Sequence, residues 1–229
     1  IEGVRKGAPD GHSCWSFSNH DVVRHVTRWA GHATDPDALA RQSAAMLLSF
    51  PGAISLYQGE ELGQTETDLV YAELTDPPAL RFWPEVRGRD GCRTPMVWDR
   101  TQANAGFSTG IPWLPVKEPQ AARAVAGQQA DNDSVLAAYR AIIAFRKATP
   151  ALRWGRTEFL ELAEPILAFR RDHEGQAVTC VFNLSARPVR LKTDATALTG
   201  PSSAMLGEGI LSLPANGFAW IEGAPGLSR

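Results

Sequence analysis

Two short apolar runs, Ser13–Ser18 and Ala53–Tyr57, each break off in a cluster of polar side chains, and a helix-like stretch lies between them. The first run ends in Asn19-His20-Asp21, the second in Gln58-Gly59-Glu60-Glu61. The intervening stretch begins at Asp35-Pro36, a capping carboxylate before a proline at the first helical position, where the missing N–H costs nothing. It is rich in Ala, Leu and Met through Phe50 and stops at Pro51-Gly52. Strand, helix, strand at this spacing predicts a βαβ unit with parallel strands and a right-handed crossover. Both polar tips then face the same end of a sheet, where parallel α/β folds place their chemistry. From these residues alone, capping of the next helix explains Asn19 or Asp21 equally well.

The other segments fill in around this unit. Glu2–Asp10 is polar, with two glycines and a proline, and reads as a helix end and a loop. Val22–Trp29 suggests a short helical turn running into a loop at Gly31–Asp35. Gly63–Ala130 is a long irregular excursion rich in Pro, Gly, Trp and Arg, and long loops beside a strand tip are usually functional. Helix resumes near Asp133, with Val135, Leu136, Tyr139, Ile142 and Ile143 on one apolar stripe, and ends before Pro150. From Thr157 the period changes to two. Strands are expected at 166–169, 177–184, 189–191, 210–213 and 218–221, with turns at Glu174-Gly175 and Asn216-Gly217.

Composition excludes several classes. Of 229 residues, 44% are hydrophobic and 21% charged, as in ordinary globular chains, and a net charge of −2 makes no electrostatic case for nucleic acid or anionic membrane. Cys14, Cys92 and Cys180 form no CxxC pair and no disulfide framework, which fits a reducing compartment and a cytoplasmic location. No apolar run is long enough to span a membrane. No signal peptide opens the chain, although with Ile1 rather than Met at its start that absence carries little weight. His12, His25, His32 and His173 lack metal-ligand spacing and read as surface or packing residues. Ser16, Ser18 and Ser55 lack the GxSxG context of a serine hydrolase.

The motif Phe17-Ser18-Asn19-His20-Asp21 resembles the fourth sequence region of the α-amylase superfamily, glycoside hydrolase family 13. Leu56-Tyr57-Gln58-Gly59-Glu60-Glu61-Leu62-Gly63, Asp76-Pro77-Pro78 and the run from Gly88 through Arg89, Asp90 and Arg93 to Trp98 follow in family order. They are most similar to bacterial α-glucosidases and oligo-1,6-glucosidases. The resemblance implies an α/β fold: the C-terminal portion of a (β/α)8 TIM barrel (strands 7 and 8), then a small antiparallel β-sandwich domain. Residues 1–152 would be the barrel part, with 63–130 as a long active-site loop, and 153–229 the β-domain. A whole barrel takes on the order of 250 residues, so strands one to six are expected outside this sequence, and the fragment alone is expected to be inactive.

By the same resemblance the nucleophile and the acid/base of a retaining glycosidase belong to the absent part. Glu60 and Glu61 fall on the strand-eight motif and read as loop structure or lip hydrogen bonding. Asp21 is the expected catalytic residue here, gripping the 2- and 3-hydroxyls of the glucose in subsite −1 as the ring flattens toward an oxocarbenium ion. His20 should donate to the same ring, and Asn19 should orient its neighbours. Arg89, or alternatively Arg93, would close the pocket behind a terminal glucose, leaving the other arginine to tie down the loop. Trp83, Trp98 and Trp113 are the tryptophans placed to stack on sugar.

The implied substrates are small α-glucosides such as maltose, hydrolysed with retention, with transglucosylation where an acceptor outcompetes water. A dedicated glucosyltransferase, or a sucrose- or trehalose-processing relative, is the alternative within the class. A non-enzymatic carbohydrate-binding fragment is the alternative outside it. The implied partner is the missing N-terminal barrel segment. No metal or cofactor is expected in this part, and a calcium site in the missing part is possible. The choice between α-1,4 and α-1,6 linkages depends on residues outside this sequence.

Overall fold

The computed structural model describes residues 1–7, 11 and 13–229, so the expected loop at 8–10 and His12 lie outside the described residues. By packing, the chain divides into two units. One gathers Ile1–Ser16, His32–Ser55 and Arg140–Arg229; the other gathers Phe17–Gly31 and Leu56–Tyr139.

In the first unit, β1 (Cys14–Trp15) pairs in parallel with β2 (Ala53–Ile54). The expected βαβ unit is present, but its strands are two residues long rather than five or six. A parallel ladder is extended by neighbours on both sides, and the described residues give each of these strands only the other as a partner. The crossover helix runs Pro36–Leu47, with Asp35 Oδ1 accepting the Asp37 N–H at 2.9 Å, the cap foreseen in the sequence. It ends at Leu47, short of the expected Phe50, and the chain then bends through Pro51-Gly52. Gly52 has φ +85°, and a Cβ there would lie 2.5 Å from the Ser13 carbonyl oxygen, a left-handed, crowded position that suits only glycine.

The remaining strands form two antiparallel sheets. One has the order β3 (Arg156–Leu160), β4 (Ile166–His173), β5 (Gln176–Asn183), β10 (Phe218–Glu222), β7 (Leu198–Thr199). The other has β11 (Leu227–Ser228), β6 (Val189–Thr193), β9 (Ile210–Leu213), β8 (Met205–Gly207). The five expected strands are all there, β4 extended by four residues. The β4–β5 hairpin turns on Glu174 (φ 46°) and Gly175 (φ 85°), both left-handed as a two-residue hairpin turn requires. β3, β7, β8 and β11 were not foreseen: three of them are only two or three residues long, too short to show alternation. Ile166, Ala168, Val181, Leu191, Leu211, Leu213, Ala219 and Ile221, drawn from both sheets, make one apolar cluster.

The crossover helix joins this unit through side chains that stitch distant segments. Gln42 Nε2 donates to the Asn183 and Gly217 carbonyls at 2.6 and 3.0 Å. Trp220, fully buried, donates its indole N–H to Ser49 Oγ at 2.8 Å. Two buried arginines serve carbonyls: Arg146 those of Leu48, Phe50, Gly52 and Leu152, and Arg171 those of Ser49 and Gly155. Burial pulls the Arg171 guanidinium down to about 10.

The second unit is built mostly from turns and short helices, including His25–Arg28, Pro77–Phe82, Glu118–Ala121 and Val125–Gln129. The helix Val135–Ala148, whose residues from Arg140 belong to the first unit, buries Val135, Leu136, Tyr139 and Ile142 of the expected stripe and leaves Ile143 half-buried. The long excursion has small cores of its own: Leu62, Val97, Ala105, Ala124 and Leu136 form one, and Leu69, Leu74, Ala79 and Leu114 another. This explains how so irregular a stretch keeps a defined path. Among the described residues no helix is long and apolar enough to cross a membrane.

Candidate active site

The residues that follow β1 and β2 in the chain both enter the second unit, and they meet around Asp21. The turn carrying Asp21 is organised locally. Asn19 Oδ1 accepts the Asp21 N–H at 2.8 Å, an Asx turn that sets the backbone between them. At its base Ser18 Oγ accepts the His25 N–H at 2.9 Å, closing the segment 18–25. Asn19 thus fixes the backbone on which Asp21 is carried.

Three cationic or donor groups converge on Asp21. Arg89 Nη1 and Arg93 Nη2 each donate to Oδ1 at 3.0 Å, and His20 Nε2 lies 3.3 Å from Oδ2. The Arg89 hydrogen bond, foremost, with His20 and Arg93, holds the Asp21 carboxyl below its ordinary range. The carboxylate is half-exposed and stays ionised, with lone pairs available to hydroxyl donors.

The two arginines differ in how they are held. Arg89 forks onto Asp76, with Nε to Oδ2 at 3.1 Å, Nη2 to Oδ1 at 2.7 Å and its backbone N–H to Oδ2 at 2.8 Å. Asp76 is buried, and the Arg89 hydrogen bond keeps its carboxyl low as well. Arg93 Nε donates to the His20 carbonyl at 2.7 Å. Both arginines that the motif singled out thus reach Asp21, a pairing the sequence reading did not include. Asp90, between them, is buried and accepts the backbone N–H groups of Thr75 and Asp76 at 2.6 and 2.8 Å. Asp76 and Asp90 stood in recognised motifs, but their roles depend on pairings across more than ten residues that the sequence does not spell out.

Arg24 binds the segments together. Buried, it donates from Nη1 to the Gln58 carbonyl at 2.7 Å and from Nη2 to the Cys92 carbonyl at 3.0 Å. Its N–H donates to Glu66 Oε2 at 3.0 Å, and its guanidinium lies 5.2 Å over the Tyr57 ring. A Cβ on Gly59 would stand 2.9 Å from Arg24 Nη1, which accounts for glycine in the Tyr-Gln-Gly-Glu run. Cys92 is buried and free, its thiol pushed up to about 11 by that burial.

Beside His20 and Arg93 opens a concavity of about 700 Å³, whose apolar wall includes Met96, Trp98, Phe107 and Trp113. Trp98 and Trp113, named from sequence as sugar-stacking residues, both line it. Trp83 does not; it packs against the Leu69–Leu74 cluster with Arg87 over its ring. Phe107 was not foreseen. Its loop is pinned by Asn104 and Ala105 in left-handed conformations (φ 49° and 51°), with Asn104 Nδ2 donating to the Ser108 and Gly110 carbonyls.

His25 is buried against Ser18 and Glu60; His32 is exposed and His173 half-buried. Glu61 Oε2 accepts the Gly59 N–H at 2.8 Å, a loop-structuring contact, and burial raises its carboxyl. Among the described residues no group of three metal-ligating side chains comes together.

A half-exposed carboxylate held by two arginines thus stands beside an imidazole and an aromatic-walled hollow. The catalytic-domain model of the α-amylases matches residues 4–155, and the chain belongs to that family, glycoside hydrolase family 13. It is 51% identical over 185 residues to a probable α-glucosidase of Rhizobium meliloti, an alignment covering 81% of this chain and 33% of that protein. It is 32% identical to an oligo-1,6-glucosidase of Heyndrickxia coagulans, covering 80% and 36%. Among solved structures, an α-glucosyl transfer enzyme superposes with a TM-score of 0.86 at 44% identity, over 97% of this chain and 43% of that one. The trehalulose synthase of Pseudomonas mesoacidophila MX-45 does so with a TM-score of 0.82 at 25% identity. The chain spans about a third of the length of the curated relatives it matches.

Proposed function

We propose that this chain is the C-terminal part of a retaining α-glucosidase that removes terminal α-linked glucose from short α-glucosides. Residues 1–152 supply the last two barrel strands and the active-site loop, and 153–229 an appended β-domain. The nucleophile and acid/base are contributed by an N-terminal barrel segment, without which the chain is inactive. The observation that carries this reading is the Asp21 carboxylate, held charged by Arg89, Arg93 and His20.

In the complete enzyme Asp21 accepts hydrogen bonds from the 2- and 3-hydroxyls of the glucose, and His20 donates to the same ring. These bonds strengthen as the ring flattens and positive charge develops, so they lower the barrier rather than merely tightening binding. Arg89 and Arg93 together close the pocket beyond the terminal glucose. The aromatic hollow beside His20 favours a second outcome, transfer of glucose to an acceptor that stacks on Trp98 or Trp113, in keeping with the likeness to an α-glucosyl transfer enzyme. The three free cysteines, without a disulfide framework, favour a cytoplasmic setting.

The test is maltose turnover by the full-length enzyme and its Asp21→Asn variant. An amide cannot replace the charge, and loss of a group stabilising transition-state charge costs about 10²–10³ in kcat. Turnover by Asp21→Asn close to wild type would remove Asp21 from the mechanism.

A further inference from the structure

Glu60 is 2% exposed, and neither of its carboxylate oxygens has a hydrogen-bond partner among the described residues. A buried carboxylate without a donor is costly, so its surroundings bear on why it is there. The guanidinium of Arg24 is close enough to act on it through charge, but its Nη1 and Nη2 serve the Gln58 and Cys92 carbonyls. Glu61 uses Oε2 on the Gly59 N–H, and Tyr139 is buried nearby. The group that faces Glu60 is His25, with Nδ1 3.6 Å from Oε1 and an exposure of only 1%.

His25 in turn holds the turn that bears Asp21. Ser18 Oγ accepts the His25 N–H at 2.9 Å and lies 3.0 Å from its Nδ1, so residues 18 and 25 form the clasp at the base of Asn19-His20-Asp21. Phe17 and Trp29 pack on the imidazole, with ring centroids 6.2 and 5.5 Å away. With backbone and rings packed in place, His25 Nδ1 lies 3.0 Å from Ser18 Oγ and 3.6 Å from Glu60 Oε1, between the two.

The geometry points to His25 and Glu60 as a buried positioning couple that locks the Asp21-bearing turn to the Gln58–Glu61 tip and so sets where Asp21 meets the sugar. This rests on the proposed α-glucosidase reading. The couple touches no substrate; it acts through the Ser18 clasp. Neither residue had a specific role assigned from sequence, where His25 read as surface or packing and Glu60 as loop structure.

The test uses the full-length enzyme with His25→Leu, His25→Asn, and the double variant His25→Leu/Glu60→Leu, read by melting temperature, kcat and KM on maltose. His25→Leu strands the Glu60 carboxylate and should lower both melting temperature and kcat, the latter by about tenfold or more with KM within about twofold, because an interaction felt in the transition state is loosened. His25→Asn keeps an N–H donor near the Nδ1 position and should recover most of that kcat. The double variant removes both polar partners and should recover the melting temperature but not kcat. If kcat simply follows the melting temperature through the series, or if His25→Asn is as impaired as His25→Leu, the couple is packing and the proposal falls. Should the wild type release no glucose from any α-glucoside, the functional reading fails, and the ¹³C signal of the Asp21 carboxyl decides the couple separately. Moved in His25→Leu and restored in His25→Asn, it upholds the positioning role; unmoved in both, it overturns it.

Discussion

Arg89 and Arg93 donate to the same oxygen of Asp21 at the same 3.0 Å distance, yet their loss should read differently. Arg89 also neutralises Asp76, which is 2% exposed. In Arg89→Ala that buried carboxylate loses its side-chain partner, so a stability loss of about 1–3 kcal/mol should accompany the loss of activity. Arg93 gives up only the half-exposed Asp21 and the His20 carbonyl, so Arg93→Ala should lower kcat/KM while staying within about 1 kcal/mol of wild type. Urea unfolding beside maltose kinetics separates the two, and equal stability losses would contradict the distinction.

Asp21 also predicts a pH dependence. Its folded-state pKa is depressed from 3.8, so the stability it contributes is present above that value and lost as pH falls through the lower folded one. The difference in unfolding free energy between wild type and Asp21→Asn should therefore be constant above about pH 5 and shrink as pH falls below the ordinary value of 3.8 through the lower folded-state one. An offset already varying between neutrality and pH 5 would mean that another group is responsible.

At the scale of elements, what was legible was what local chemistry decides. Asp35-Pro36 announced a helix start, and Asp35 caps it; Glu174-Gly175 announced a hairpin, and both residues are left-handed. Asp35→Ala should cost about 1 kcal/mol in thermal or urea unfolding, the worth of one N-cap, and a neutral result would mean that tertiary packing alone holds the first turn. Strand extent was less legible, because the length of β1 and β2 is set by neighbours rather than by the apolar runs that seeded them. The site divides in the same way. Asp21, His20, Arg89 and Arg93 were singled out by motif. Asp76, Arg24, Glu60 and Phe107 were not assigned roles, since each acts through a partner distant in sequence or, for Phe107, through a loop pinned by two non-glycine residues in left-handed conformations.

At the scale of the whole molecule, the first unit is assembled from three stretches that are far apart in the chain. The family match ends at residue 155, but the helix Pro36–Leu47 has its polar anchor beyond that point. Gln42 is 2% exposed; its amide donates to the Asn183 and Gly217 carbonyls, and its Oε1 accepts from Asn216 Nδ2 at 3.3 Å. Removing that side chain takes a donor from the Asn183 carbonyl, while the Gly217 carbonyl keeps the Asn183 N–H, and it opens a polar void, so Gln42→Ala should lose about 1–3 kcal/mol. The more telling measurement is the shape of the transition. If these segments share one cooperative core, Gln42→Ala should move a single urea transition to lower denaturant with an unchanged slope, because the same surface is exposed on unfolding. A variant in which the β-strands after residue 155 unfold separately, giving two transitions, would show that the helix and the sheets are stabilised independently. The apparent stitching by Gln42, Ser49 and Trp220 would then be contact without thermodynamic coupling.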